Sequence, residues 1–398
     1  MSDFVKEDNV FVNQDAESRE AVLRFIADRA AELGITDDAD AVYEAFLARE
    51  DMGETGIEVC RLVLGHPNME LAMATDRKEA GTRLDAVYPS FAGACDLELS
   101  LPEPDAIARA ADVAFLAVPH TASLALTPEL LRRGVTVLDL SADYRLHDPQ
   151  VYEQWYNTPH TSPELLSQTV YGLPELNREG ILALAERHAA GQAVLVSVPG
   201  CYPTATALAA TPALSAGLAD GDLVIADAIS GVSGAGRGAN ARTHYCHANE
   251  SVEAYGVAKH RHTPEIEQTL SDVAGRQMNV VFTPHLAPLT RGLLSTVYLE
   301  AADGVTAEDV QTAYEARFAN EPLVTVLPAG SMPSTSSVFG TARAQVGVAL
   351  DARRRRTIIA SCAIDNLGKG AAAQAVQNAN IVLGLPELAG IDMPAPLV

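Results

Sequence analysis

Cys201 is the residue of this sequence best suited to covalent chemistry. An apolar, β-branched run over 194–198 predicts a strand, Pro199 and Gly200 predict a tight turn, and the alanine-rich segment after Cys201 predicts a helix. This order places the thiol at a helix N-terminus, where unpaired N–H groups and the helix dipole favour the reactive thiolate. A buried structural cysteine is the alternative, because that is the usual environment of a free cysteine.

Two later segments carry groups that suit an anionic, electrophilic substrate. The glycine-rich loop after a predicted strand contains Ser230 and Arg237, whose hydroxyl and guanidinium suit a carboxylate or phosphate oxygen. A flexible turn is the alternative interpretation of that loop. His260 and His262 precede the helix start that Thr-Pro-Glu predicts. An imidazole there can act as a general acid or base near neutral pH, although a single histidine is more often structural.

The elements that must position these groups alternate between strands and helices. Strands alternating with helices indicate a parallel, doubly wound sheet that binds ligands at the carboxyl ends of its strands. The predicted fold class is therefore α/β, with a doubly wound dinucleotide-binding domain whose first strand is missing or replaced. The patterns predict helices over 56–64, 123–133 and 365–383 and strands over 69–75, 113–119, 135–141, 223–229 and 293–299.

The start of this domain departs from the usual glycine-rich turn. Gly53 and Gly56 match the last two glycines of a turn whose backbone cradles a pyrophosphate, but Glu50 holds the place of the first. The residues before the turn have a helical rather than a strand pattern. We therefore expect weaker NADPH binding and lower stability than a complete turn would give. Arg77 suits a 2′-phosphate, hence NADP rather than NAD, with an exposed loop arginine as the alternative.

Composition restricts the class of protein further. The chain has 398 residues and a formal net charge of −24, which argues against nucleic acid and anionic membrane surfaces as partners. No apolar run approaches the roughly 20 residues of a membrane helix. The five cysteines lack metal-ligand spacing, and their odd number suggests reduced thiols. We expect a cytoplasmic protein of two or three units with a small-molecule substrate and no metal.

Residues 1–56 resemble the opening of the fructose-type enzyme IIA domain of the sugar phosphotransferase system. Helical patterns over 16–33 and 38–50 belong to this segment. The phosphoacceptor histidine of that family lies in an Ile-Pro-His context, which His66-Pro67 does not match, so we do not expect phosphotransfer. The resemblance rests on Glu-Asp-Asn-Val-Phe at 7–11, Ala-Glu-Leu-Gly-Ile-Thr-Asp at 31–37, Ala-Phe-Leu-Ala-Arg-Glu at 45–50 and Gly-Glu-Thr-Gly at 53–56.

Residues 57–398 resemble the N-acetyl-γ-glutamyl-phosphate reductases of arginine biosynthesis. The family's first strand and its complete glycine loop are absent, and Thr55-Gly56 is common to both resemblances. We therefore interpret the chain as a junction between the start of one family and nearly all of another. The matching motifs, in family order, are Leu-Gly-His-Pro at 64–67, Ala-Gly at 80–81, Tyr-Pro at 88–89, Val-Pro-His at 118–120, Leu-Asp-Leu-Ser-Ala-Asp-Tyr-Arg-Leu at 138–146, Tyr-Gly-Leu-Pro-Glu-Leu at 171–176, Pro-Gly-Cys-Tyr-Pro-Thr at 199–204, Ser-Gly-Val-Ser-Gly-Ala-Gly at 230–236, His-Arg-His-Thr-Pro-Glu-Ile at 260–266, Pro-His-Leu-Ala-Pro at 284–288 and Asp-Asn-Leu-Gly-Lys-Gly-Ala at 365–371.

The resemblance implies NADP(H)-dependent reduction of N-acetyl-γ-glutamyl phosphate to N-acetylglutamate 5-semialdehyde and phosphate, through a thioester on Cys201. His260 and His262 are the implied acid/base candidates, and we favour His262, which is nearer the helix start. Implied substrate-binding residues are Ser230, Arg237, Arg291 and Tyr202, and implied cofactor-binding residues are Gly53, Thr55, Gly56, Arg77, Ser141, Asn366 and Lys369.

The same resemblance implies three parts of the chain and a homo-oligomer. Residues 1–56 form the helical segment, 57–198 with 364–398 the NADP-binding domain, and 199–363 an α+β catalytic and oligomerisation domain of the glyceraldehyde-3-phosphate-dehydrogenase-like type. Two other functions stay open at this point. The chain could be a catalytically impaired chimera or interaction protein that carries a truncated phosphotransferase module. It could also be a related semialdehyde dehydrogenase, such as one that acts on aspartate semialdehyde.

Overall fold

The computed structural model describes Asp28 and residues 53–236, 242–353 and 356–396. Met52–Val398 forms one compact unit, separate from the residues before it. The helices predicted over 16–33 and 38–50 lie outside the described residues, apart from the helical Asp28, and so does Arg237. Among the described residues, no helix has both the length and the apolar character needed to span a bilayer.

Strands and helices alternate through the first half of the larger unit and strands dominate the second half. The described helices are α1 (Glu54–Leu64), α2 (Leu84–Val87), α3 (Pro104–Ala110), α4 (Ser123–Arg132), α5 (Pro149–Tyr156), α6 (Pro174–Ala189), α7 (Cys201–Ser215), α8 (Tyr245–Ala248), α9 (Thr263–Ala274), α10 (Ala307–Phe318) and α11 (Ala373–Val382). The described strands are β1 (Val113–Leu116), β2 (Thr136–Asp139), β3 (Val170–Tyr171), β4 (Leu195–Ser197), β5 (Ala219–Gly231), β6 (Glu253–Ala254), β7 (Asn279–Ala287), β8 (Leu293–Ala301), β9 (Val324–Val326), β10 (Ala344–Asp351) and β11 (Thr357–Ile364).

The first sheet is parallel and has four strands in the order β1-β2-β4-β3. All four residues of β2 are buried, which is typical of a parallel strand covered on both faces. Helices α1, α6 and α11 pack together on this sheet's core. This arrangement confirms the predicted doubly wound domain. The carboxyl ends of β1, β2 and β4 face the loops that precede His120, Arg145 and Cys201.

The strand predicted over 69–75 is wrong. Only Thr75 forms an isolated parallel bridge, and its partner is Ser100. The carbonyl of Ala74 accepts the backbone N–H of Ser100 at 3.0 Å. The backbone N–H of Asp76 donates to the carbonyl of Ser100 at 2.9 Å. Met69, Leu71 and Met73 are partly buried and Ala74 is buried, but the segment does not join the four-stranded sheet.

The second sheet is mixed and has seven strands in the order β6-β7-β5-β8-β11-β10-β9. Helix α7 packs against β8 and β11 of this sheet, and every residue of α7 from Tyr202 to Leu214 is buried. A helix that is apolar on all sides belongs in a core. Its start at Cys201 confirms the predicted strand, turn and helix around the thiol.

The last helix begins differently from the prediction of a continuous helix over 365–383. Gly368–Ala372 forms a short π-helical turn, and α11 follows it. A Cβ atom on Gly370 would lie 2.7 Å from the Cβ atom of Cys201, so a residue with a side chain does not fit there. Local π turns of this kind often occur at functional sites, and this one brings the last part of the chain against the nucleophile candidate.

Candidate active site

Cys201 is half-buried at the first position of α7. The backbone N–H of Tyr202 and the charge of Arg145 lower the pKa of the thiol, but burial outweighs them and raises it to about 11. The expectation that the helix N-terminus alone would favour the thiolate is therefore wrong for the protein without substrate. The desolvation penalty on a charged sulfur exceeds the contribution of the helix end, and Cys201 is a neutral thiol at pH 7.

The imidazole of His262 lies directly against the turn that precedes Cys201. A Cβ atom on Gly200 would lie 2.5 Å from Nε2 of His262 and 3.0 Å from Nη1 of Arg145, which explains why this position is a glycine. The Nδ1 atom of His262 is buried and has no hydrogen-bond partner among the described residues. The Nδ1 atom of His260 accepts the backbone N–H of His262 at 3.1 Å. His262 therefore lies against the turn that carries the thiol, and His260 packs on His262 with ring centroids 5.0 Å apart.

Both histidines are neutral at pH 7. Burial, followed by the charges of His260 and Arg145, holds the pKa of His262 well below its usual range. Burial and the nearby Arg261 lower the pKa of His260 to about 4. A neutral thiol beside a neutral imidazole is not a preformed ion pair. His262 would therefore act as a base that accepts the proton as Cys201 attacks.

Glu265 ties three elements together around Gly200. Its Oε1 atom accepts the N–H of Gly200 at 2.9 Å and the hydroxyl of Tyr171 at 2.8 Å. Its Oε2 atom pairs with Nη1 of Arg145 at 3.2 Å. Arg145 also donates to the backbone carbonyls of Val198 and Leu140, at 2.8 and 2.7 Å. This buried network fixes the turn and hence the position of the thiol.

Arg145, Tyr171 and Glu265 are functional candidates that were not predicted from the sequence. Each lies inside a motif that carried the resemblance, at 138–146, 171–176 and 260–266. The signal in the sequence that could have identified them was a charged or hydroxyl-bearing residue inside a motif shared with the family. Local spacing could not show that these three segments meet, because they are far apart along the chain.

Two of the predicted substrate-binding residues already have internal partners. Ser230 is buried, and its hydroxyl donates to the carbonyl of Gly231 at 3.1 Å. The hydroxyl of Tyr202 donates to the carbonyl of His285 at 3.2 Å and accepts from that of Tyr255 at 3.1 Å. The ring of Tyr202 packs edge-on against both candidate histidines. Their role in substrate binding stays a prediction.

Arg291 is held by two carboxylates. Its guanidinium pairs with Glu58 of α1 at 2.9 Å and with Asp365 at 2.8 Å. An anionic substrate would have to displace one of these partners, and the charge of Arg291 is largely neutralised without it. Arg291 joins α1 to the segment before the π turn, and its predicted role as an anion holder stays a prediction.

The start of α1 suits the backbone cradle expected for a dinucleotide. Gly53 is the extended N-cap residue, and Thr55 and Gly56 lie in the first turn. No atom lies within 4 Å of the position that a Cβ of Gly53 would occupy, so a phosphate can approach this backbone closely. Arg77 is exposed within a turn in which Asp76 Oδ1 accepts the N–H of Lys78 at 2.9 Å. The α1 start therefore fits a pyrophosphate, and Arg77 fits the 2′-phosphate of the ribose.

The other three predicted cofactor residues are buried and bonded to the protein. Ser141 donates its hydroxyl to Asp139 at 2.9 Å. The side-chain oxygen of Asn366 accepts the N–H of Gly292 at 2.7 Å. Lys369 is fully buried, with Nζ 2.6 Å from Glu175 Oε1 and 2.7 Å from Gln377 Oε1. Cofactor contacts of these side chains stay predictions.

The raised pKa of the thiol predicts how Cys201 reacts with iodoacetamide. Because only the thiolate reacts and its pKa is about 11, the rate should rise about tenfold per pH unit between pH 7 and 10. The measurement is the alkylation rate of the Cys201 peptide by mass spectrometry, with the exposed Cys246 peptide as internal reference. A rate for Cys201 that is already constant above pH 7 would contradict the raised pKa.

Comparison with family models defines the class of protein. Residues 52–184 match the semialdehyde dehydrogenase NAD-binding domain, and residues 201–366 match the semialdehyde dehydrogenase dimerisation domain. Residues 3–79 match the EIIA 2 component of the phosphoenolpyruvate-dependent sugar phosphotransferase system. Both resemblances stated from the sequence are thereby confirmed. The NAD-binding match and the EIIA 2 match overlap over residues 52–79. The fold and the two domain matches are those of a semialdehyde dehydrogenase-type oxidoreductase.

Curated relatives identify the family more closely. N-acetyl-gamma-glutamyl-phosphate reductase of Syntrophobacter fumaroxidans is 48% identical over 340 residues, covering 85% of this chain and 95% of the relative. The reductase of Ectopseudomonas mendocina is 48% identical over 346 residues, covering 87% and 97%. That of Symbiobacterium thermophilum is 47% identical over 346 residues, covering 87% and 96%. The chain belongs to the N-acetyl-gamma-glutamyl-phosphate reductase family.

Solved structures support the fold. Aspartate semialdehyde dehydrogenase II of Vibrio cholerae, in complex with ASA, superposes with a TM-score of 0.62 at 16% identity, over 83% of this chain and 96% of that one. Aspartate semialdehyde dehydrogenase of Candida albicans with NADP gives a TM-score of 0.60 at 12% identity, over the same shares. These likenesses confirm the two-domain α/β fold class.

Proposed function

We propose that this chain reduces N-acetyl-γ-glutamyl phosphate to N-acetylglutamate 5-semialdehyde and phosphate with NADPH, in arginine biosynthesis. The observation that supports this most is the position of His262 Nε2 against Gly200, directly before the thiol of Cys201. A nucleophile with an adjacent base is the arrangement that acyl transfer through a covalent intermediate needs. The family membership supplies the acyl-phosphate substrate.

In the proposed mechanism, Cys201 attacks the acyl carbon while His262 accepts the thiol proton. The carbon–oxygen bond to the phosphate breaks, and phosphate leaves with its electron pair, so that a thioester remains on Cys201. The N–H of Tyr202 at the start of α7 is directed at the sulfur, and backbone N–H groups of this kind stabilise developing negative charge. After the thioester has been reduced to a thiohemiacetal, its carbon–sulfur bond breaks and the aldehyde is released. The proton held by His262 then returns to the sulfur of Cys201.

NADPH, when bound, supplies the hydride that reduces the thioester. The residues that would hold it are the α1 start at Gly53, Thr55 and Gly56, whose backbone suits the pyrophosphate, and Arg77, which suits a 2′-phosphate. The acidic Glu54 in the first turn of α1 opposes an anion there. The expectation of NADPH binding weaker than with a complete glycine turn therefore stays a prediction.

The proposal includes the division of the chain and its assembly. Residues 57–198 with 364–398 would bind NADP, and residues 199–363 would supply the catalytic and subunit-binding part. One face of the seven-stranded sheet exposes large apolar side chains on β5 and β7, among them Leu223, Ile225 and Val281. An exposed apolar patch of this kind indicates a protein interface. We therefore propose a cytoplasmic homo-oligomer that joins through this face.

The test of the function is a substrate comparison in the reverse direction. We expect phosphate-dependent reduction of NADP with N-acetylglutamate 5-semialdehyde and much slower reduction with aspartate semialdehyde. The measurement is NADPH absorbance with each aldehyde, with and without phosphate. Turnover only with aspartate semialdehyde would favour the related dehydrogenase. No turnover with either aldehyde would favour the impaired chimera or interaction protein.

A further inference from the structure

The loop after β1 brings a histidine to the site that the proposed mechanism does not use. The Nδ1 atom of His120 accepts the backbone N–H of Ala142 at 3.2 Å, which places the imidazole proton on Nε2. Its ring packs edge-on against Tyr156, with centroids 5.4 Å apart. No described residue forms a hydrogen bond with Nε2. The Nδ1 atom of His120 is therefore held by the backbone, and its Nε2–H group is free to donate to a ligand.

The backbone beside His120 is held in an uncommon conformation. Thr121 has a φ of +81°, a region that residues with a branched side chain rarely adopt. Its N–H donates to Asp143 Oδ1 at 2.8 Å, and the same oxygen accepts the hydroxyl of Tyr152 at 2.8 Å. Tyr152 in turn stacks on Tyr156 at 4.8 Å. These contacts fix the loop, and backbone strain maintained in this way is concentrated at functional sites.

Arg261 lies on the same aromatic ring as His120. Its Cζ atom is 5.5 Å from the centroid of Tyr156. Arg145 and Arg291 each pair with a carboxylate, whereas Arg261 has no carboxylate partner within the described ranges. Its charge lowers the pKa values of both His120 and His262, so its positive field extends over the region beside Cys201.

We propose that His120 and Arg261 bind the phosphoryl group of the acyl-phosphate substrate, and the phosphate that leaves. This rests on the proposed function and assigns a binding position within the same site. A phosphate oxygen accepts hydrogen bonds from a neutral N–H donor and from a guanidinium, and the bond to the charged donor is the stronger. Arg145 is less suited, because Glu265 and two carbonyls already accept its hydrogen bonds.

The protonation state of His120 agrees with this role. Burial, followed by the charges of Arg145 and Arg261, lowers its pKa to about 3. The imidazole is therefore neutral at pH 7, where phosphate is anionic. A neutral donor and a cation without a carboxylate partner, both packed on the Tyr156 ring, provide one hydrogen bond and one charge without the cost of burying a second cation.

The experiment uses the full chain with His120→Asn and Arg261→Gln. The asparagine oxygen can accept the Ala142 N–H in place of Nδ1, while the Nε2 donor is lost. Arg187→Gln, at a partly exposed arginine that donates to Gln192, is the matched control. We expect each site variant to raise the KM for inorganic phosphate about tenfold in the reverse reaction, with the KM values for the aldehyde and NADP changed less than twofold.

A selective rise in the KM for the aldehyde would assign the pair to the substrate carboxylate and overturn the proposal. A selective rise for NADP would assign it to the cofactor, and three unchanged KM values would also overturn it. If His120→Asn fails to fold by its melting curve, the exposed Arg261→Gln decides the result.

Binding of phosphate alone separates this inference from the proposed function. Calorimetric titration of inorganic phosphate needs no turnover, and we expect wild type and Arg187→Gln to bind it about tenfold more tightly than either site variant. If wild type binds phosphate and the variants do not, the site exists even if neither aldehyde is a substrate. If all four proteins bind phosphate equally, the proposal is wrong whatever their activity.

Discussion

Cys201→Ser is expected to lower turnover by at least about 10⁴-fold, with little change in NADPH affinity. A serine hydroxyl is a far weaker nucleophile than a thiol, and the neutral His262 beside it is a weak base for so high a pKa. An oxygen ester would also be less readily reduced than a thioester. The measurement is NADP reduction with N-acetylglutamate 5-semialdehyde and phosphate, alongside a fluorescence titration with NADPH.

The matched control for this prediction is Cys246→Ser, because Cys246 is an exposed cysteine outside the network of Glu265. It should retain wild-type turnover. Residual activity of Cys201→Ser above about one per cent of wild type would show that Cys201 is not the nucleophile.

Lys369→Met is expected to lower the free energy of unfolding by about 3–5 kcal/mol, because it leaves a buried carboxylate without its cation. Glu175 and Lys369 are both fully enclosed, with 2.6 Å between Oε1 and Nζ. The Oε2 atom of Glu175 already lacks a hydrogen-bond partner among the described residues. The measurement is urea unfolding followed by circular dichroism.

The double variant Glu175→Gln/Lys369→Met is the control for the charge. It removes both ions, so it should be less destabilised than Lys369→Met alone. The same proteins also test the predicted cofactor role of Lys369. Normal stability of Lys369→Met together with a large rise in the NADPH dissociation constant would show that Lys369 serves the cofactor rather than the fold.

The nucleophile and its base could be predicted from local sequence. The Pro-Gly turn and the alanine-rich run place Cys201 at the start of α7, and Thr-Pro-Glu places His262 directly before α9. Both signals are short-range, because turn and helix-start preferences depend on neighbouring residues. The position of these groups in the fold therefore followed from the sequence, and the family motifs supported it.

The properties that depend on tertiary packing could not be predicted in this way. The helix start at Cys201 suggested a thiolate, but burial by distant segments raises the pKa. The partner of Arg145 is Glu265, which is 120 residues further along the chain. Lys369 lies in a glycine-containing motif that suggested a ligand cradle, yet its partner Glu175 comes from α6. Hydrophobic periodicity over 69–75 likewise agreed with the partial burial of Met69, Leu71 and Met73, but it could not show that the backbone pairs with Ser100 instead of a sheet strand.

The contact between Gly370 and Cys201 has a consequence for the order in which the site forms during synthesis. The Cβ of Cys201 lies where a side chain at 370 would be. Part of the packing around the nucleophile therefore comes from a segment that the ribosome makes much later. Chains fold as units during translation, and here the thiol leaves the ribosome long before its neighbour. A nascent chain that has not reached the π turn therefore carries the nucleophile without its finished surroundings.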